Sequence, residues 1–280
     1  MNILLTGASS YVGARLYFDL KRSFDVTGTY HSTRLSRDFV ELDITQQKDV
    51  IEIARKIKPD VIVHAAGNPN TRWCEANPRD AEAINEKGTK HVVDAANAVD
   101  AGVIYISSVA AIDPVNVYGR TKLAGEEHVK NAAWFDILKP SLIIGYSPNT
   151  TNDRPFNRLL RNIDDGTPAV YDTSWKFQPT WLGHISEVIK GIIERKIENR
   201  IIPITVPELK TRYEVARDIL SPFGIHIAPR DDNDKTPVVK VGQDMLKEIG
   251  LPTYRYSQII EKIVDEIKHR ERYKLADDSQ

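Results

Sequence analysis

The sequence predicts an α/β fold, a doubly wound parallel sheet with a smaller C-terminal α/β lobe. Two observations lead there. Through residues 1–145, short apolar runs of strand type alternate with stretches of helical spacing. Such alternation implies parallel strands joined by helices that cover both faces of a sheet. Past Gly145 that rhythm breaks in a loop holding Pro148, Asn149, Asn152, Asp153 and Pro155. A chain of 280 residues, at about 150 residues per domain, is one large domain or two small ones. The division falls at 145/146. Residues 146–280 are expected to pack closely on the first part, with helices free to interleave, because no flexible linker separates them.

The elements follow in order. Ile3 to Leu5 is a short strand that meets Thr6-Gly7, and a helical pattern runs from Val12 to Ser23. Val26 to Tyr30 reads as a strand, and Val50 to Ile57 as a helix stopped by Pro59. Asp60 to Ala66 reads as a continuous strand of the type buried on both faces. A long helix spans Pro78 to Ala101, with Gly102 as its stop. Val103 to Ser108 is a strand, Val117 to Asn131 a helix and Ile137 to Ile144 a strand. Further helices are expected at Ile185 to Arg195, Tyr213 to Leu220 and Ser257 to Lys274, with a strand at Ile201 to Val206. Asp231 to Lys235 is a polar loop, and the tail Leu275 to Gln280 is expected to fray.

Composition excludes several function classes. Lys plus Arg number 38 and Asp plus Glu 39, a net charge of −1. That balance argues against a general nucleic-acid or membrane-surface binder. A single cysteine, Cys74, excludes an internal disulfide framework and a cysteine-cluster metal site. The seven histidines do not fall at metal-ligand spacing, so no metal is assigned. No apolar run reaches the roughly 18 residues of a membrane helix. The start, MNILLTGASS, lacks the basic region of a signal peptide, and a cytoplasmic protein is the expectation. The sequon at Asn149-Thr150-Thr151 is then a chance match.

Thr6-Gly7-Ala8-Ser9-Ser10-Tyr11-Val12-Gly13 links the first strand to the first helix. In that context backbone N–H groups and a positive helix end face an anion, and missing side chains let a pyrophosphate approach. Ser10 stands where a glycine is usual; its hydroxyl can reach a phosphate while its Cβ narrows the approach. The other reading is an ordinary strand–turn–helix. An NAD site places Asp or Glu at the end of the second strand to hold the ribose 2′-OH. Here the segment is Tyr30-His31-Ser32-Thr33-Arg34, without an acid. Ser32, Thr33 and a fork-shaped Arg34 suit a 2′-phosphate, so NADP(H) is preferred and NAD(H) stays open. Arg34 could equally be a solvated loop residue.

Tyr118-Gly-Arg-Thr-Lys122 places a phenol and an ammonium one turn apart on one helix face. A lysine cation beside a tyrosine favours the phenolate and lowers its pKa. A tyrosine so tuned can exchange a proton with a carbonyl or hydroxyl oxygen. Ser108, after Ile106 and Ser107, ends a strand at the carboxyl edge where open sheets bind ligands. The glycine turn, Ser108 and the helix after it lift this pair above an ordinary surface pair.

Together these residues resemble the extended short-chain dehydrogenase/reductase superfamily, most of all its dTDP-4-dehydrorhamnose reductase family, whose fold is a Rossmann sheet with a substrate-binding lobe. Asn116-Val-Tyr118-Gly-Arg-Thr-Lys122-Leu-Ala-Gly-Glu126 is very similar to that family's Tyr/Lys helix. Leu42-Asp43-Ile44 resembles the segment that contacts adenine. Lys58 to Gly67, including Ala65 and Ala66, resembles the strand beneath the cofactor. Asn85, in Ile84-Asn85-x-x-Gly88-Thr89, matches the proton-relay asparagine, and Lys139-Pro140-Ser141 the Arg-Pro segment near the nicotinamide. Gln178-Pro-Thr180 and Arg212 to Ala216 echo the C-terminal patterns. The resemblance implies Tyr118 as proton donor, Lys122 as its tuner and ribose ligand, and Ser108 as the group polarising a keto oxygen. It implies an NADP(H)-dependent reductase of a nucleotide-linked keto sugar and leaves a homodimer open. The same branch holds epimerases and a regulatory subunit of methionine adenosyltransferase, so those alternatives stay open. Val109 and Ala110 stand where dehydratases need an acidic pair. Ser108 and Tyr118 are ten positions apart, a shorter connection than the family's, so a more open site is expected.

Other residues have two readings each. Arg72 and Trp73, beside Cys74, could line the pocket or a solvated loop. Arg154, Arg158 and Arg161 share one helix face and could hold a diphosphate or form surface ion pairs. Trp175, Phe177 and Trp181 could stack on a base or pack the lobe. His64 reads as a core histidine and His184 as a cap or surface group.

Overall fold

The structure, a computed structural model, describes residues 1–275. In chain order, β1 (Asn2–Thr6), α1 (Tyr11–Leu20), β2 (Asp25–Tyr30), β3 (Val40–Glu41), α2 (Gln47–Ile57) and β4 (Val61–His64) come first. Then α3 (Thr71–Ala76), α4 (Pro78–Glu82), a π turn (Ala83–Lys87) and α5 (Gly88–Asn97) lead to β5 (Gly102–Ile106), and α6 (Val117–Val129) leads to β6 (Phe135–Pro140). Next are β7 (Ile143–Ile144), α7 (Pro155–Asp165), β8 (Ala169–Asp172), β9 (Lys176–Phe177), β10 (Thr180–Trp181) and α8 (Leu182–Arg195). The chain ends with β11 (Arg200–Ile204), β12 (Lys210–Thr211), α9 (Arg212–Leu220), β13 (Ile227–Arg230), α10 (Asp244–Glu248) and α11 (Tyr256–Lys268).

Seven strands form one sheet in the order β11-β6-β5-β4-β1-β2-β3, every neighbouring pair parallel. Successive side chains of a strand point to opposite faces, so a sheet covered on both sides needs apolar residues at every position. Leu4, Ile62, Val103 and Ile137 meet Val50, Ala54, Val92 and Ala96 on one face. Ile3, Leu5, Val63 and Ile104 meet Leu16, Ile185 and Ile189 on the other. The winding direction reverses between β1 and β4, and the carboxyl ends at such a reversal open a crevice. The turn after β1 and the Ala65–Gly67 segment after β4 both lie there.

The boundary at 145/146 does not divide the sheet. Its seventh strand, β11, comes from the second part, with Arg200 opposite Asp136 and Ile204 opposite Pro140. The remainder forms small pairs, β8 with β13, β9 with β12 and β7 with β10.

Three expected elements are interrupted. The helix read from Pro78 to Ala101 carries the π turn at Ala83–Lys87. One extra residue per turn shifts the inward face there, and Asn85 is buried. The strand read from Ile137 to Ile144 stops at Pro140, because the chain leaves the sheet and Ser141 N donates to Thr180 Oγ1 at 3.0 Å. The last helix ends at Lys268, and a short turn over Arg270–Tyr273 replaces its final residues. Leu275, expected in a frayed tail, is buried in the core; the rest of that tail, 276–280, lies outside the described residues. Among the described residues no helix is long and apolar enough to cross a membrane.

Asp136 on β6 is fully buried. Its Oδ1 accepts from Arg200 N at 3.0 Å, and its Oδ2 has no partner. Burial pushes this carboxyl up to about 7, and Glu198 adds to the shift. A carboxyl raised above its unfolded value supports the fold at low pH and loses that contribution as pH rises through about 7. Asp136→Asn keeps the acceptor for Arg200. Calorimetry should show a Tm gain that grows from pH 4 to pH 8, reaching roughly 5 °C; a gain independent of pH contradicts the assignment.

Candidate active site

The turn after β1 is built by close approach. Gly7 has φ +72°, and a Cβ there would lie 2.8 Å from Ala66 Cα. A Cβ on Gly13 would lie 2.1 Å from Gly7 O, so α1 rests directly on the turn. Ser10 caps the helix, its Oγ accepting from Gly13 N at 2.9 Å. The first-turn amides of Tyr11 and Val12 have no intrahelical acceptor and remain for an anion. Ser9 Oγ accepts from Leu35 N at 3.1 Å, and Ser9 O accepts from the Asn149 amide at 2.6 Å. Two expectations change here. The Ser10 oxygen is occupied with capping. The Tyr11 side chain is buried and its hydroxyl donates to Gly145 O at 2.5 Å, leaving only its backbone amide for a ligand.

His31, Ser32, Thr33 and Arg34 are exposed beyond β2. The Arg34 guanidinium donates to the carbonyls of Ser36, at 3.2 Å, and Arg37, and lies 5.7 Å from the Tyr30 ring centre. Asp43 closes a turn, its Oδ1 accepting from Thr45 N and Oγ1 at 2.9 and 2.8 Å. Ile44 is buried and its carbonyl meets His91 Nδ1 at 3.0 Å. Ala65 and Ala66 are half-buried at the end of β4, and Gly67, at φ +150°, has room for no side chain beside Asn85 Oδ1.

Ser108, Tyr118, Lys122 and Asn85 come together at the carboxyl end of β5. Ser108 Oγ accepts from Ala110 N at 3.1 Å, and its hydroxyl lies near enough to the Tyr118 phenol to lower its pKa. The short connection makes this possible. Residues Val109–Ala111 form a single tight turn, and α6 starts against it, since a Cβ on Gly119 would lie 2.3 Å from Ala110 O. Asn116 caps α6, and Glu75 Oε1 accepts from Val117 N at 2.6 Å. Lys122 is buried, and its Nζ donates to Ile106 O at 2.7 Å and lies 4.0 Å from the Tyr105 ring centre. Asn85 Oδ1 accepts from Asn68 N at 2.8 Å, and its Nδ2 donates to Asn68 O and to Thr121 Oγ1.

The electrostatics differ from the expectation. Burial lowers Lys122 to about 7, against the pull of Glu126. Burial raises the Tyr118 phenol to about 12, against the influence of the neighbouring Ser108 hydroxyl; the cation that lowers it is Arg154. Lys122 does not act as the phenol's tuner here, because its ammonium turns to the Ile106 carbonyl.

Ser107 and Pro140 also flank this end. Ser107 Oγ donates to Glu126 Oε1 at 2.5 Å, and Glu126 Oε2 pairs with Lys139 Nζ at 2.8 Å. Arg72 is exposed and Trp73 half-buried on α3, beside buried Cys74. The three-arginine face separates. Arg158 and Arg161 both pair with Asp153, at 2.6 and 2.9 Å, while Arg154 stands before the helix, half-buried near Tyr118 and Tyr11. Trp181 does not line a pocket. It is buried, its Nε1 donates to Glu266 Oε1 at 3.0 Å and its ring meets Tyr254 edge-on. His184 bonds Pro252 O. Sequence reasoning missed the buried Arg15–Glu266 pair at 2.8 Å. The signal was a lone arginine between Ala14 and Leu16 on the apolar side of a helix.

A family profile described as RmlD substrate binding domain matches residues 1–239. The dTDP-4-dehydrorhamnose reductase of Salmonella typhimurium is 34% identical over 146 residues, which is 47% of this chain and 47% of that protein. The chain thus spans about half the length of the reductases it matches. Methionine adenosyltransferase 2 subunit beta of Xenopus laevis is 26% identical over 252 residues, 82% of this chain and 75% of that protein. Among solved structures, the dTDP-4-dehydrorhamnose reductase of Bacillus anthracis in complex with NADP has a TM-score of 0.81. It covers 95% of this chain and 99% of its own at 20% identity, a likeness of fold.

A lysine whose folded pKa lies below its unfolded 10.5 costs stability in full below about 7, and the cost fades as pH rises beyond it. Lys122→Met should therefore raise Tm by several degrees at pH 6 and by less at pH 9. An equal gain at both pH values contradicts a buried, titrating ammonium.

Proposed function

The chain belongs to the RmlD substrate binding domain family, and on that premise we propose that it is an NADPH-dependent reductase of a keto group on a nucleotide-linked deoxysugar, of the dTDP-4-dehydrorhamnose type. The observation that carries this reading is the gathering of Ser108, Tyr118, Lys122 and Asn85 at the carboxyl end of β5, beside the sheet's reversal point. The residues present fit a phosphorylated dinucleotide. Gly7 and Gly13 leave no side chain over the turn, and the Tyr11 and Val12 amides are free to meet a pyrophosphate. The segment His31–Arg34 after β2 carries no acid of its own, and Ser32 and Arg34 are exposed there. Arg34 exchanges two carbonyl acceptors for a phosphate, a stronger, charge-assisted bond.

The bound cofactor supplies a hydride. The protein's residues supply the rest. At neutral pH the Tyr118 phenol, raised to about 12, is fully protonated and so loaded for reduction. Its Oη gives a proton to the substrate oxygen as negative charge develops there. Ser108 donates its hydroxyl proton to the same oxygen. Lys122 Nζ would hold the ribose hydroxyls of the cofactor. Asn85 ties α6 to the segment after β4, so that phenol and cofactor keep their spacing. Arg154, half-buried near Tyr118, suits the diphosphate of the sugar nucleotide. Arg72 and Trp73 border the same edge.

A second reading is a dinucleotide-binding regulatory subunit. The longer alignment with the adenosyltransferase subunit, 82% of the chain against 47%, favours it.

Purified chain, NADPH and a dTDP-linked 4-keto-6-deoxyhexose decide between them. Absorbance should show NADPH consumed, and Tyr118→Phe should lower the rate by about 100-fold or more while leaving NADPH binding nearly intact. Wild-type rates in the variant contradict the proton-donor role. NADPH bound but never consumed supports the regulatory reading, and sugar conversion without net NADPH use indicates an epimerase.

A further inference from the structure

Thr6, His64 and Tyr105 occupy one register row across β1, β4 and β5, Thr6 opposite His64 and His64 opposite Tyr105. All three are fully buried. Burying two ring nitrogens is costly unless each finds a partner, and both do. Thr6 Oγ1 lies 2.7 Å from His64 Nδ1, and His64 Nε2 lies 3.0 Å from Thr89 Oγ1.

Counting protons fixes the direction of this chain. Thr89 Oγ1 donates its one proton to the Asn85 carbonyl at 2.7 Å. It can then only accept from His64, so Nε2 carries the ring proton. Nδ1 is the acceptor, and Thr6 donates to it. The ring stays neutral, because burial and the nearby Lys122 push it down to about 3.

The same imidazole reaches Lys122 by two routes. Its face stacks on the Tyr105 ring, with centres 5.2 Å apart and planes 15° apart, and Lys122 Nζ lies 4.0 Å from the centre of that ring. Through Thr89 it also holds the Asn85 backbone within the π turn, and the Asn85 side chain bonds Thr121, the residue before Lys122. One side chain thus supports both the surface against which the ammonium lies and the neighbour that locates its backbone.

We propose that His64 is a positioning residue for Lys122: a neutral, Nε2-protonated imidazole that fixes the ammonium through Tyr105 on one side and through Thr89 and Asn85 on the other. Its consequence for turnover rests on the reductase reading above.

Thr89→Val is isosteric and removes the hydroxyl, and Thr89→Ser restores it. Long-range ¹H–¹⁵N spectra of the wild type should show a protonated Nε2 and a bare Nδ1 on His64 at neutral pH. The Lys122 ε-methylene should carry an upfield ring-current shift from Tyr105. Thr89→Val should move that resonance toward the value of a free lysine, lower kcat about tenfold and weaken NADPH binding. Thr89→Ser should recover all three. An Nδ1-protonated ring overturns the proposal, as does a Thr89→Val protein in which neither the Lys122 resonance nor kcat moves. If the wild type shows no turnover, the reductase reading fails while the Lys122 resonance still decides this inference.

Discussion

A buried ammonium at the carboxyl end of β5 is the constraint around which the rest is arranged. Lys122 has left water, and desolvation of a cation is expensive unless the interior answers it. A carbonyl oxygen, an aromatic face and a carboxylate one helical turn away answer it in part. The remaining deficit shows as a pKa near neutrality. A lysine held this way is primed to gain from any acceptor or anion that arrives beside it. The carboxyl ends of the central strands lie beside it, near the reversal point of the sheet.

The surrounding residues hold the geometry. Thr6, Gly7 and Ala66 bring the ends of β1 and β4 into contact, so the glycine turn and the segment after β4 are one rigid unit. Glu266 on α11 extends that rigidity. Its carboxylate accepts from Arg15, Trp181 and the Tyr146 amide, joining the helix of the glycine turn to the loop after β7 and the start of α8. Breaking a buried pair of this kind by removing one partner typically costs about 3–5 kcal/mol. The second part of the chain is thus structural for the first, both here and in the strand β11.

The sheet was legible because strands buried on both faces must be apolar throughout, as in Ile3 to Leu5 and Val61 to Val63. Ser108, Tyr118 and Lys122 were legible because a strand end and a four-residue helical spacing carry geometry within themselves. Other features depend on contacts that local sequence does not encode. The π turn at Asn85 arises where α5 meets Ile44 and α6, and nothing within Pro78 to Ala101 marks it. The pairing of β11 with β6 joins residues far apart in the chain. Trp181 looked like a stacking surface because an indole suits both a pocket and a core, and only its bond to Glu266 settles which. The sign of the Tyr118 shift was missed because proximity of Lys122 in sequence says nothing of where its ammonium turns.

We propose that a dinucleotide binds over Lys122, and calorimetry of NADPH binding in two buffers of different ionisation enthalpy tests this claim most directly. An anionic ligand beside a lysine that titrates near 7 favours its charged form. Binding slightly above neutral pH should take up protons, and in Lys122→Met that uptake should disappear. Absence of binding, or the same proton uptake in the variant, contradicts the claim.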